Sequence, residues 1–583
     1  MSEVKTNIIS DGVEHGLKKT KMSVWTIAFM MFCLVSGGAY GVEEMIPKSG
    51  PGVTMVMLIV LPFIWGMPLG LVCSELGVLR PQEGGYYKWV QEALGEFWGF
   101  QAGWWRTVSI YIDNTLYVVL AGAYIGTALN LSWGTEMAVK FVIIIIFTLI
   151  NLKGVKEVGI ISSILAILTL VAFGVVSICG FMNWNQNPIM PFTADGQIMG
   201  LSGIAFGDWV YYIGMGIAMG MWMYSGYESV STFAGELEKP DVIPKGIMMA
   251  IPLIICVYLF PTLGGLAAMS DVQVAGLLGD YYTEGDPSWT YWGTEVGTVG
   301  YAGVVSAYWG PAFGIIFAVI AMLAQCSSYN AYIISGSRGF FALANDHLCP
   351  PIFVKCDKKN GVPYVSVLSV AIVNVILCQF AFEAVVVVDV LLLVASYIMI
   401  YISALILRKR IPAKEYKFRI PGGYGVLLLL CLVPTVLGFV SFYISGTDYF
   451  IGGVFGLISG PILYYIWKKR YGGLAKVDSE RFPINPKTKL SVGDTKRISV
   501  MALIVGVMCV IAWPFLMWFE GDWYGKWGPE YYIEAYGQDF FLLSDFYMML
   551  DTIKWAAIVS LSLALIFYII SKKVEPRTVQ PLK

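Results

Sequence analysis

Two short runs carry most of the chemistry this chain can offer. The first is Ser36-Gly37-Gly38-Ala39-Tyr40-Gly41, followed by Val42-Glu43-Glu44; the second is Tyr224-Ser225-Gly226-Tyr227, followed by Glu228. Both sit inside long apolar stretches. Glycine is costly in a helix interior. A lone glycine more often permits close packing of helices, but a cluster of them flanked by two carboxylates predicts a break. Backbone unwound in an apolar medium must find new partners, so such breaks occur where they line a cavity and present amides and carbonyls to a ligand. The amides of Gly37, Gly38 and Gly41 suit a carboxylate; the neighbouring acids suit an ammonium group. Both runs also read Gly-x-Glu, at Gly41-Val42-Glu43 and Gly226-Tyr227-Glu228, as a duplication would leave them.

Glu43, Glu44, Glu75, Asp113, Glu228 and Asp389 lie in or near apolar runs. An acid at the centre of a bilayer costs about 2.5–3.5 kcal/mol, so each must find a partner, bind a proton or line an aqueous cavity. Burial disfavours the charged form and a bound cation favours it. One carboxylate can therefore link amine binding to proton movement. Glu228, directly after the second break, is the first candidate for that role. Asp113, beside Asn114 and Tyr117, and Glu43 follow. Glu75 reads as a structural acid paired with Arg80 or Lys88. Of Glu43 and Glu44, one is expected to contact ligand and the other to pair with Lys48. Asp389 falls near the outer boundary and reads as solvated. Tyr40, Tyr224 and Tyr227 adjoin the breaks and offer hydroxyls or cation–π faces, with Trp222, Tyr329 and Tyr332 as walls or gates.

The elements that must position these residues follow from composition. Of 583 residues, 57% are hydrophobic and 13% charged, and the mean hydropathy is +0.69. Soluble domains run at about 45–50% apolar and about 25% charged, so this chain has too little polar surface for a water-exposed globule. It reads as an all-α polytopic membrane protein. Apolar runs of membrane-crossing length appear at about 23–46, 53–79, 97–127, 137–152, 155–181, 209–234, 246–269 and 311–343. Others appear at about 362–382, 385–407, 424–445, 449–467, 498–519 and 549–570, which predicts about fourteen spans. The breaks fall in the first and sixth, each opening a five-span unit, and an odd number of spans inverts the second unit relative to the first. The expected organisation is a polar segment 1–22, repeats over 23–208 and 209–410, two further spans over 411–470, a polar linker 471–497, and a last pair with its tail over 498–583.

Lysine and arginine segregate. All but four of the 38 (Lys48, Lys140, Lys526 and Lys554) fall on one face if the N-terminus is cytoplasmic, Arg80, Lys88 and Arg106 being counted together in one loop. By the positive-inside rule both termini are then cytoplasmic. The stretch from Gly84 reads as an amphipathic helix along that surface, 271–280 as a small external helix, and 520–545, rich in Trp, Tyr and acid, as an interfacial segment. The net charge of −2 gives no bulk attraction to nucleic acid. Ten scattered cysteines without a CxxC pair, and only two histidines, His15 and His347, support neither a disulfide framework nor a metal site. No cofactor is expected.

Further motifs are specific. Glu75-Leu76-Gly77, Pro81 and Gly84-Gly85-Tyr86-Tyr87, then Ser335-Gly336-Ser337-Arg338, then Leu407-Arg408-Lys409-Arg410-Ile411-Pro412 resemble signatures of the amino acid–polyamine–organocation superfamily. The resemblance spans roughly residues 20–470. The first break is similar to the Gly-Gly-Pro-Phe-Gly-Val-Glu-Asp of its polyamine–proton symporters, Asp113-Asn114-Thr115-Leu116-Tyr117 to their Asp-Asn-Ala-Leu-Tyr, and Glu228-Ser229-Val230-Ser231-Thr232 to their Asp-Ser-Val-Ser-Thr. This chain departs from them in Glu for Asp at 228, in Ala39-Tyr40 for Pro-Phe, and in fourteen spans for the usual twelve. Thr169 also stands near the place where some proton-coupled relatives have a lysine.

The resemblance implies a ten-helix inverted-repeat core of the leucine-transporter type (5+5), with four extra C-terminal helices here. It further implies alternating access in a plasma membrane and proton-coupled movement of amino acids, polyamines or other small amines. Ser36, Gly37, Gly38, Ala39, Tyr40, Gly41, Glu43, Asp113, Tyr224, Gly226, Tyr227, Glu228 and Tyr332 are the expected substrate site. An exchanger on the same core is the near alternative. Sodium coupling through break carbonyls with Ser231 or Thr232 ranks lower. A membrane-embedded enzyme is remote, because no span carries a histidine. The last two spans could cover the core, hold a homodimer together or bind lipid.

Overall fold

The computed structural model describes residues 16–194, 206–294, 297–380, 382–522, 529–538 and 541–574. The start of the polar N-terminal segment with His15, residues 523–528 of the aromatic stretch with Lys526, and the tail after 574 lie outside the described residues. Among the described residues the chain is helical, with isolated bridges and no strand.

The first apolar run forms two helices, α1 (Val24–Val35) and α2 (Val42–Ser49), with residues 36–41 unwound between them. Ser23 starts α1 by accepting the Thr26 amide at 3.0 Å, which satisfies one orphan donor of the first turn. The second span comprises α3 (Pro51–Leu61), a wider turn over Pro62–Gly66 and α4 (Met67–Leu79). Pro62 and Pro68 withhold amides from the ladder there. Next come α5 (Tyr86–Leu94), α6 (Glu96–Leu129), α7 (Trp133–Asn151) and α8 (Val155–Met182). The sixth run forms α9 (Phe206–Met223), a second unwound stretch and a 3-10 segment over Ser229–Glu236. After it come α10 (Val242–Ala268), α11 (Asp271–Leu278), α12 (Tyr301–Trp309), α13 (Pro311–Asn345), α14 (Tyr364–Leu377) and α15 (Phe382–Arg410). The last group is α16 (Gly423–Ile444), α17 (Thr447–Tyr471), α18 (Asp494–Leu516), α19 (Pro529–Tyr536) and α20 (Phe546–Val574).

Among the described residues, eleven helical stretches are long and apolar enough to cross a membrane, and three shorter apolar helices fall at the first, sixth and ninth predicted spans. The chain is a multi-pass membrane protein. Its centre is α6, which packs against α13, α15, α5 and α7. Its most apolar window is 89% buried, against 33% for α7 and 22% for α20. The exposed row Val142, Ile145, Ile146 and Leu149 on α7 is the kind of surface that lipid accepts at no cost in hydrogen bonds.

Two expectations change here. The amphipathic stretch α5 does not lie on a surface: Tyr86, Tyr87, Lys88, Trp89, Val90 and Gln91 are buried. They are drawn inward because Asp346 accepts from Lys88 Nζ at 2.6 Å, the Tyr87 hydroxyl at 2.5 Å and Gln91 Nε2 at 2.8 Å. Glu75 is a structural acid, but its partners are Arg408 Nη1 at 2.9 Å and the Ile420 amide at 2.7 Å. Arg80 instead holds Glu92 at 2.8 Å. The polar linker after α17 is anchored. Glu96, at the start of α6, accepts from Lys468 Nζ at 2.6 Å, the Ser491 hydroxyl at 2.8 Å and the Leu474 amide at 3.0 Å. Beyond it, α18 and α20 pack on each other and against α17, with α18 also touching α16.

Candidate functional site

The two unwound stretches lie against one another. Gly37 has φ +58° and Gly226 φ +110°, left-handed backbone that only glycine adopts readily. A Cβ on Gly226 would stand 2.4 Å from the Leu34 carbonyl oxygen at the end of α1 and 2.7 Å from the Tyr332 hydroxyl of α13. Side chains take over from the lost ladder. The Tyr258 hydroxyl of α10 donates to the Met223 carbonyl at 2.9 Å and reaches the Val35 carbonyl at 3.5 Å, so one phenol ties together the last turns of both broken helices. The Gly226 amide donates to the Tyr397 hydroxyl at 2.8 Å, and Trp65 Nε1 to the Met221 carbonyl at 3.0 Å. In the first break the Gly37 amide bonds the Phe32 carbonyl at 3.1 Å and the Gly38 amide the Ser36 hydroxyl at 3.0 Å. Two of the three amides expected to hold a carboxylate are therefore already engaged.

The charged centre is built around a residue that sequence reasoning misplaced. Arg106, counted above with cytoplasmic loop charges, lies ten residues into α6, about 15 Å at 1.5 Å per residue, and is wholly buried. Its Nε donates to Glu228 Oε1 at 2.6 Å, its Nη1 to the Ser109 hydroxyl at 2.7 Å and to Asp113 Oδ2 at 3.3 Å. Asp113 Oδ1 accepts from Trp222 Nε1 at 2.9 Å. The guanidinium also faces the rings of Tyr332 and Tyr397, at 6.0 and 5.9 Å. Tyr117 stacks on Tyr332 at 5.4 Å and on Trp222 at 6.1 Å. Nη2 of Arg106 and Oε2 of Glu228 are buried without a hydrogen-bond partner.

Asp389 is the second correction. It is not solvated at a boundary but fully buried on α15, within interaction distance of Asp113. The buried centre thus sets one guanidinium against the carboxyl groups of Glu228, Asp113 and Asp389. Spacing could have flagged Arg106: it precedes Asp113 by seven residues, which puts both on one helix face. Asp389 carried a weaker signal, a lone acid inside the apolar run 385–394.

The remaining expected residues divide. Tyr224 and Tyr227 are buried beside Tyr258, and Ala39 lies in the same core. Trp222 closes on the first break, where a Cβ on Gly41 would meet its ring at 3.2 Å. Tyr40 packs edge-on against Tyr124 at 5.0 Å and Phe173 at 5.1 Å. Glu43 does not reach the guanidinium cluster. Its Oε1 accepts the Tyr301 amide at the start of α12, at 2.8 Å, and its Oε2 the Tyr124 hydroxyl. Neither Glu43 nor Glu44 pairs with Lys48; Glu44 accepts from the Thr294 amide and hydroxyl at 2.8 Å. Glu43 lines a separate cavity of about 220 Å³ with Tyr124, Thr127, Thr294 and Gly300. Tyr329 packs against Phe147, toward α7. Ser231 and Thr232 donate to the carbonyls of Glu228 and Ser229 within their own turn.

Comparison with known proteins bears on this geometry. Residues 22–455 match the family model described as amino acid permease. This chain belongs to the amino acid permease family. Among curated relatives of the permease, Polyamine transporter RMV1 of Arabidopsis thaliana is 29% identical, covering 77% of this chain and 86% of its own. Polyamine transporter PUT1 of Oryza sativa subsp. japonica is 27% identical, covering 80% of this chain and 81% of its own. Serine/threonine exchanger SteT of Bacillus subtilis (strain 168) is 22% identical, covering 78% and 98%. The crystal structure of MhsT in complex with L-phenylalanine superposes with a TM-score of 0.53 at 13% identity, covering 74% of this chain and all of that one. The permease thus has the leucine-transporter type of fold, and it is a secondary transporter rather than an enzyme.

Proposed function

We propose that this permease carries small organic amines, polyamines foremost, across the plasma membrane by alternating access, with protons as the coupling ion. The observation that carries this reading is the charge of the buried centre. Glu228, Asp113 and Asp389 face one guanidinium, and Tyr117, Trp222 and Tyr332 supply aromatic faces. Excess carboxylate beside stacked rings suits an ammonium group and its methylene chain. Ser36, Gly37, Gly38, Ala39, Tyr40, Gly41, Tyr224, Gly226 and Tyr227 form the walls that move as the broken helices rock. Glu228 is the coupling carboxylate of that cycle, acting through Arg106, and Glu43 binds cations on their way in. The names of the plant relatives support the substrate class. Fourteen crossings, inverted repeats over 23–208 and 209–410 and cytoplasmic termini complete the reading.

The test is uptake into liposomes holding the purified protein, with labelled polyamines and amino acids under an imposed pH gradient. Saturable polyamine accumulation that collapses with the gradient is expected. Accumulation of neutral amino acids alone would overturn the substrate class. A second reading, exchange of amino acids, is favoured by the unpartnered Nη2 of Arg106, a donor suited to a carboxylate, and by the exchanger among the relatives. Uptake that requires a preloaded internal amino acid would select it.

A further inference from the structure

Asp389 is a fully buried carboxyl whose two oxygens both lack a hydrogen bond. None of its neighbours bonds it in this geometry, although the Ser109 O–H and Arg106 Nη2 are spare donors. From α6 it faces Asp113, the Ser109 hydroxyl and Arg106. The Ser109 oxygen accepts from Arg106 Nη1 at 2.7 Å, and the guanidinium spends its Nε on Glu228 at 2.6 Å and Nη1 also on Asp113 at 3.3 Å. Around the same centre lie Trp222 of α9, bonded to Asp113 at 2.9 Å, Tyr332 of α13, whose ring faces Arg106, and Tyr397 of α15, which takes the Gly226 amide. Apart from the Ser109 O–H, which is free to turn to Asp389, Asp113 and Asp389 therefore confront each other as two acceptors. Three buried carboxyls against one guanidinium leave an excess negative charge that such a medium does not tolerate, and two facing carboxylates relieve it by sharing a proton.

We infer that Asp113 and Asp389 hold one proton between them, and that an incoming ammonium group takes that proton's place. Resting on the amine reading above, this names the proton that the substrate exchanges with. The balance is simple. The shared proton leaves to water, the N–H groups of the ammonium bridge the two carboxylates, and the charge of the buried centre is unchanged. Glu228 stays paired with Arg106 while the ammonium binds, and its coupling role belongs to the later movement of the helices. Asp389 thus becomes a binding residue on the tenth span, coupled to Asp113 on the third.

The experiment uses the full chain in detergent at neutral pH and reads the C=O stretch of protonated carboxylic acids by infrared difference spectroscopy. Wild type minus Asp389→Asn, and wild type minus Asp113→Asn, should each lose the same single carboxylic band, and Asp389→Glu should restore one. A purely structural role would leave that band in place. No band lost from either variant overturns the shared proton, and the two variants guard against one failing to fold. Loss of the band on adding sodium alone also overturns it, by making the pair a sodium site. With 1,4-diaminobutane as probe, wild type should release one proton per molecule bound and Asp389→Asn none, the release measured by calorimetry in buffers of different ionisation enthalpy. Binding without release overturns the displacement. A persistent band with no binding of diamine supports the shared proton and counts against the amine reading instead.

Discussion

Glu228→Gln is expected to reduce gradient-driven uptake by at least about 100-fold while the protein still assembles in the membrane. The carboxylate lies 2.6 Å from the Arg106 guanidinium with both side chains wholly buried. Removing one charge of such a pair costs about 3–5 kcal/mol, because the other is left uncompensated, and 1.4 kcal/mol is a factor of ten. Glutamine keeps a carbonyl acceptor at the same reach, so the loss falls on the charge rather than on packing. Arg106 must then lean on Asp113, now 3.3 Å away, and the carboxyl offered to substrate is withdrawn. Liposome uptake together with thermal unfolding in detergent checks both halves. Accumulation equal to wild type would remove Glu228 from the cycle.

Gly226→Ala should abolish uptake as completely, for a different reason. At φ +110° a Cβ costs about 1–2 kcal/mol in backbone conformation. It would also sit 2.4 Å from the Leu34 carbonyl oxygen, a backbone atom that cannot swing aside as a side chain can. Overpacking of this kind adds about 1–3 kcal/mol. The second break must then either move away from α1 or rewind, and both spoil the meeting of the two unwound segments. Gly134→Ala is the control, because a Cβ there meets nothing within 4 Å. Uptake and melting temperature should be unchanged in that variant and reduced in Gly226→Ala. Normal transport by Gly226→Ala would contradict the geometry.

How far the sequence was legible follows from what kind of signal each feature leaves. The helical membrane class and the two breaks were readable because apolar run length and clustered glycine are local properties. Glu75 was readable as structural, but its partner Arg408 stands 333 positions away, and no spacing rule selects one arginine over a nearer one. Arg106 was lost to the loop count because it lies near one end of its apolar run, and a positive-inside tally treats every basic residue there as solvated. Glu96 left no signal, since its partners Lys468, Ser491 and Leu474 are remote in sequence and only the fold gathers them on one buried carboxylate. The Tyr258 hydroxyl that joins both broken helices left no sequence signal at all, because a tyrosine in an apolar run looks like any other.

The most direct measurement is a structure of the protein at high resolution with a bound polyamine. The account predicts ligand density between residues 36–41 and 224–228, with an ammonium nitrogen within hydrogen-bond distance of Asp113 and Asp389 and the methylene chain against Tyr117, Trp222 and Tyr332. Density for the amine elsewhere, or both helices coiled without interruption through those residues, would contradict it.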